Sequence, residues 1–217
     1  MIISLDNLRS GLDWWRSESR WGSDLMNGEY GEIFADRNLG ILNGWWGKAV
    51  DRLGRWIAYR GRTKPNSKEE ITARGTTRLD RIAEVYEALT AKCSGEPCLA
   101  DYSWEEVEPL YSLAFAVKPS PVFAGKMCHF LLPNIFIVMD NWATDTFDYE
   151  IYWRGMRDAW CGFDSKEAAR TMLTDAIEPT HEIHVQYPVE TKIIELCHIG
   201  QKHSRTYIKP HAGEHRA

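Results

Sequence analysis

The chain reads as a mainly α-helical protein, a two-lobed helical bundle with a cleft between the lobes and a helix-hairpin-helix-like element in the second. Three observations predict this. Apolar residues recur every three or four positions through most of the 217 residues. Serines followed three residues later by glutamate mark two helix starts, at Ser67 with Glu70 and at Ser103 with Glu106. Short polar, glycine- or proline-bearing stretches stop the periodic segments, and no internal repeat or low-complexity linker separates them.

In order along the chain, Trp45, Ala49, Leu53, Trp56 and Ile57 make one apolar helical stripe, with Lys48, Arg52, Arg55, Tyr59 and Arg62 on another face of the same helix. The turn 61–66 ends it. A helix capped by Ser67 follows, interrupted at Gly75, and Leu79, Ile82, Ala83, Tyr86 and Leu89 continue an amphipathic helix up to the loop 93–98. The segment from Ser103 to about Val117 is apolar around most of its cylinder and reads as a buried central helix. Lys118-Pro-Ser-Pro121 breaks it and starts the next, with Ser120 as N-cap and Pro121 at the first helical position, and Leu132-Pro-Asn134 closes that one. Beyond come an aromatic-rich region to Phe163, a helix after Ser165 and a last helix through Ile193, Ile194 and Cys197. The stretches 135–139 and 183–187 are candidates for extended chain. The expected division is an N-terminal helical lobe, residues 1–100, and a C-terminal lobe, 101–217, carrying the hairpin.

Composition narrows the functional classes. A hydrophobic content of 44% is enough for one substantial core, or two small lobes. No run is long and apolar enough to span a bilayer, and Met1–Asp6 lacks a secretion signal, so the expectation is a cytoplasmic protein with no membrane partner and no obligate protein partner. Five irregularly spaced cysteines suit reduced thiols. The net charge of −5 opposes nucleic-acid binding, but residues 48–81 hold ten cationic side chains against four acidic ones, a local +6. That segment is either a DNA-steering face or an ordinary solvated helix face. Cys93 and Cys98 with His198 and His203 have a loose zinc-ligand spacing, which a turn and a helix terminus explain as well; no metal and no other cofactor is expected. Neither Gly40-x3-Gly44 nor Gly44-x2-Gly47 has the context of a phosphate-cradling loop, and no nucleophile elbow supports a serine hydrolase.

The stretch 120–142 concentrates the chemistry. Gly125-Lys126, followed by the apolar run Ile137-Val-Met closed by Asp140, resembles the core of the helix-hairpin-helix DNA glycosylase superfamily, particularly its 8-oxoguanine-glycosylase-like members. The resemblance implies a DNA partner and excision of a damaged or modified base, with a bulky modified base of phage DNA among the substrates it leaves open. It implies Asp140 and Lys126 as catalytic residues.

Breaking a base–sugar bond develops positive charge on the sugar, which a fixed carboxylate at Asp140 would stabilise. Asp140 follows an apolar run and precedes a helix start, so the same position also reads as a plain N-cap. Lys126, flanked along the helix by Val122, Phe123, His129 and Phe130, would attack the sugar as a neutral amine and permit strand cleavage, or else serve as a surface cation. Backbone N–H groups from Val122 through Ala124 to Gly125, after the Ser120 cap, would grip a phosphate. Lys48, Arg52, Arg55 and Arg62 would steer the duplex. Trp45, Trp142 and His129 are candidates for a base pocket, whereas Trp56 and Trp104 read as core. The competing expectation is a helical DNA-binding or protein-interaction module without chemistry.

Overall fold

The computed structural model describes residues 2–19, 24–59, 67–93, 96–115, 119–139, 148–177 and 182–207. Among them are ten α-helices and no strand: α1 (Leu5–Glu18), α2 (Asn27–Asn38), α3 (Trp46–Arg55), α4 (Lys68–Thr76), α5 (Leu79–Ala91), α6 (Trp104–Leu113), α7 (Pro121–Leu131), α8 (Tyr149–Cys161), α9 (Lys166–Ile177) and α10 (Val189–Tyr207). The mainly helical reading holds.

The caps form where the sequence places them. Ser67 Oγ accepts from Glu70 N at 3.3 Å while Glu70 accepts from Ser67 N at 3.2 Å. The Glu106 carboxylate accepts from Ser103 N at 2.8 Å. Ser120 Oγ accepts from Phe123 N at 3.3 Å with Pro121 in the first turn. Two caps were not read from the sequence: Ser4 on α1, accepting from Asn7 N at 3.1 Å, and Asp148 on α8, accepting from Ile151 N at 3.1 Å.

Helix α3 ends earlier than its apolar stripe suggests. Ala58 N bonds to Leu53 O at 2.9 Å and Ile57 N to Gly54 O at 3.2 Å, a Schellman closure with Ile57 in the left-handed region at φ 53°. Glycine ordinarily fills that position, and a β-branched residue there is strained. The stop signal in the sequence, Gly61, lies four residues further on.

The core is one continuous cluster running from Ile3 to Ile199. Its first and last helices cross in very close contact. A methyl group on Gly11 would sit 2.0 Å from Leu196 O, and one on Gly200 would sit 1.9 Å from Asn7 O, so only hydrogen at both positions lets the two backbones meet. This pairing joins the two ends of the chain across the expected boundary near residue 100. The 182–188 segment is tied back to α2: the buried Asn27 donates to Glu182 O at 2.8 Å and accepts from His184 N at 2.9 Å. Thr191 of α10 donates to Pro133 O at 2.7 Å, which anchors the turn after α7.

Candidate active site around Lys126

From Phe123 to Leu131 every residue of α7 is buried. The chain leaving this helix, Ile135 to Met139, is buried as well, yet it belongs to no helix or strand. A buried peptide without a ladder must find other partners for its carbonyls. Four side chains provide them in succession. Trp153 Nε1 donates to Ile135 O at 2.9 Å and His129 Nδ1 to Phe136 O at 2.5 Å. Tyr149 and Tyr152 hydroxyls donate to Ile137 O at 2.8 Å and to Val138 O at 3.0 Å. Tyr149, Tyr152 and Trp153 stand on one face of α8 at i, i+3 and i+4 spacing, which is why one helix can hold three carbonyls.

His129 belongs to a longer chain. Since a carbonyl can only accept, Nδ1 carries the proton, and Nε2 receives the Tyr30 hydroxyl at 2.7 Å. Burial, more than the Lys192 and Lys126 charges nearby, pushes the imidazole down to about 3, so it stays neutral. Burial likewise raises the Tyr30 and Tyr149 phenols well above their ordinary value. Lys192, itself buried, donates to Glu195 at 2.7 Å and lies 4.5 Å above the Trp15 ring.

Lys126, 4% exposed, donates from Nζ to Trp56 O at 3.1 Å. That carbonyl caps α3 and immediately precedes the strained Ile57. Gly125, one residue earlier, faces the Tyr149 ring so closely that a methyl group would come within 2.6 Å of it. Adjacent positions in the middle of α7 thus touch the strained turn, through Lys126, and the tyrosine that holds the Ile137 carbonyl, through Gly125.

No family model, curated protein or solved structure matches this chain. The chemistry of the site rests on its own residues.

Asp140, Trp142 and Arg62 lie outside the described residues. The expected phosphate grip at Val122, Ala124 and Gly125 is corrected by the helix geometry. Phe123 N is taken by the Ser120 side chain and Ala124 N by Ser120 O at 3.0 Å, and Ala124 and Gly125 are buried. Of the three residues only Val122 is half-buried, the other two being too buried to offer a phosphate a surface.

The expected duplex-steering face is corrected at Arg52. Arg52 is buried and donates to Glu29 at 2.5 Å, Glu32 at 3.0 Å and Asp36 at 2.6 Å. Burial presses its pKa down, and the three carboxylates together more than reverse that and carry it above the ordinary value. It is closed to a phosphate. Arg55 is exposed but points toward Glu29 and Glu32 at 3.7 and 3.9 Å, and Lys48 lines an open pocket of about 360 Å³ with Glu32, Asp36 and Asp51 beside it. The acids at Arg52 and Arg55 come from α2, which sequence inspection of residues 48–62 alone did not weigh.

Trp45 is 1% exposed and packs edge-on against Trp46, and His129 has both ring nitrogens occupied, so neither lines a base pocket in this conformation. Trp56 and Trp104 are core residues, as read. Cys93 and Cys98 share the Asp101 carboxylate, at 3.7 and 3.1 Å, and burial followed by that hydrogen bond pushes the Cys98 thiol up to about 11. Tyr30, Tyr149, Tyr152, Trp153 and Lys192 were missed as members of the site. The Tyr-x-x-Tyr-Trp spacing at 149–153 was visible, but it reads as packing until its carbonyl partners are known.

Proposed function

We propose that this protein is a DNA glycosylase that excises a damaged or modified base, with Asp140 stabilising the cationic sugar and Lys126 acting as nucleophile or positioning cation. One observation carries the proposal: Lys126 is held inside the protein at the carbonyl of a strained turn, beside a segment whose four consecutive carbonyls are fixed by side-chain donors and which leads directly into Asp140. Rigid support of this kind is what a group acting by electrostatic preorganisation needs. Strain in a non-glycine residue also concentrates where function demands a fixed geometry.

The chemistry follows from the two groups. As the glycosidic bond breaks, its electron pair leaves with the base and the sugar becomes cationic at C1′. The Asp140 carboxylate lowers the energy of that cation. Water then adds at C1′ and releases a proton, giving an abasic site, or the Lys126 nitrogen adds with loss of a proton and leads to strand cleavage through a Schiff base.

The second reading, a helical module without chemistry, draws on the bond from Lys126 to a helix C-terminal carbonyl, a place where an ammonium often has a purely structural use. The two part in one assay. The protein and its Asp140→Asn variant are incubated with duplexes carrying a panel of oxidised, alkylated and bulky modified bases, followed by heat with alkali to reveal abasic sites. A glycosylase releases a base and loses that release by about a hundredfold or more in the variant while keeping its affinity for DNA. Absence of release from every duplex ends the proposal. Borohydride trapping with and without Lys126→Ala then assigns the amine.

A further inference from the structure

The cations concentrated between residues 48 and 81 meet different fates on folding. Arg52 is enclosed by three carboxylates, Lys68 lies on Asp51 at 2.5 Å and Arg81 on Glu84 at 2.6 Å. Arg74, in the last turn of α4, and Arg78, at the N-terminus of α5, are half-buried and have no carboxylate at ion-pair distance among the described residues. Arg74 Nε is fully buried without a hydrogen-bond partner. Arg78 Nη1 donates to Leu113 O at 3.0 Å, the end of α6. Burial, and after it the Arg74 charge, press the Arg78 guanidinium below its ordinary value, so the two cations feel each other.

The backbone beneath them is closely packed. Gly75 lies against the Trp46 indole so closely that a methyl group would fall 1.6 Å from the ring, and Trp46 Nε1 donates to Ile71 O at 3.3 Å. Arg78 N bonds to Gly75 O at 2.8 Å, which fixes the turn between the two arginines. Two like charges, partly desolvated and four residues apart, with no carboxylate at ion-pair distance among the described residues, cost free energy that a bound anion recovers. Guanidinium forks match phosphate oxygens in geometry as well as charge.

We propose that Arg74 and Arg78 form a phosphate-binding clamp at the α4–α5 junction. On the glycosylase reading, from which the identity of the ligand follows, it holds a backbone phosphate of DNA, a task that the buried Arg52 cannot perform. The test uses Arg74→Gln, Arg78→Gln and, as an equal loss of charge from the acid-flanked surface, Arg55→Gln. Binding of a labelled, unmodified duplex is measured from about 50 to 200 mM salt. Thermal stabilisation by inorganic phosphate is measured against chloride at matched ionic strength.

Arg74→Gln and Arg78→Gln are each expected to weaken duplex binding about tenfold and to make the salt slope shallower by about 0.9 for each phosphate no longer neutralised, while Arg55→Gln changes little. Loss of phosphate-dependent stabilisation with unchanged duplex binding supports the clamp and assigns it to a free phosphate group. Wild-type behaviour of Arg74→Gln in both measurements overturns it; this variant leaves the Leu113 hydrogen bond intact, and circular dichroism verifies its fold. Base release is scored separately, so failure of the clamp and failure of the glycosylase reading give different results.

Discussion

Tyr149→Phe removes one oxygen atom and tests whether the side-chain clamp fixes the segment before Asp140. Tyr149 is 2% exposed, and its hydroxyl donates to the carbonyl of Ile137, a residue with no exposed surface. Phenylalanine preserves the ring stack with Tyr111, whose centroid is 4.7 Å away, so packing changes little. The loss is then one buried carbonyl left without its donor, which costs about 1–3 kcal/mol because no bulk water reaches it. With an m-value near 2 kcal/mol per molar urea, a loss of about 2 kcal/mol lowers the unfolding midpoint by about 1 M with m unchanged. Equilibrium urea unfolding at neutral pH followed by tryptophan fluorescence reads this directly. A midpoint within about 0.1 M of the wild type would refute the reasoning, because it would mean that the carbonyl is satisfied without the tyrosine. Tyr152→Phe, one carbonyl further along, is expected to behave alike, and the double variant to lose more or less than the sum because the two donors grip adjacent peptides.

His129 predicts a pH dependence. Its folded pKa of about 3 lies below the unfolded value of about 6.5, so the neutral form contributes stability present above pH 6.5 and lost as pH falls toward 3, at about 1.4 kcal/mol per unit. The measurement is the difference in urea stability between wild type and His129→Gln from pH 6.5 down to 4.5; parallel curves would sink the assignment. Gly200→Ala puts a methyl 1.9 Å from Asn7 O, where only backbone movement can relieve it, and is expected to lower stability by about 1–3 kcal/mol or more by parting α1 from α10. Thermal unfolding checks this, and a wild-type melting temperature would contradict the close crossing.

Helix starts were legible because they are local events. Ser67 with Glu70, Ser103 with Glu106, and Ser120 with Pro121 each satisfy their own N–H groups within four residues, so the sequence alone determines them. The same holds for the buried character of 135–139 and for Trp56 and Trp104 as core. The end of α3 was not legible, since Ile57 carries no helix-stop signal and takes its left-handed conformation from the closure around it. Arg52 and Arg55 illustrate the same limit: their charges are properties of the sequence, but which carboxylates meet them depends on where α2 packs.

What the sequence determined by itself is helical content, the helix starts at Ser67, Ser103 and Ser120, and the apolar run that leads to Asp140. Which polar groups are spent on one another was decided only by the tertiary structure. Apolar periodicity specifies which face is buried, while a hydrogen bond or an ion pair needs two groups from distant parts of the chain within about 3 Å, a distance that only packing sets. For that reason His129 became a neutral link between Tyr30 and Phe136, Arg52 became a buried counter-ion, and Arg74 and Arg78 were left without a carboxylate at ion-pair distance among the described residues.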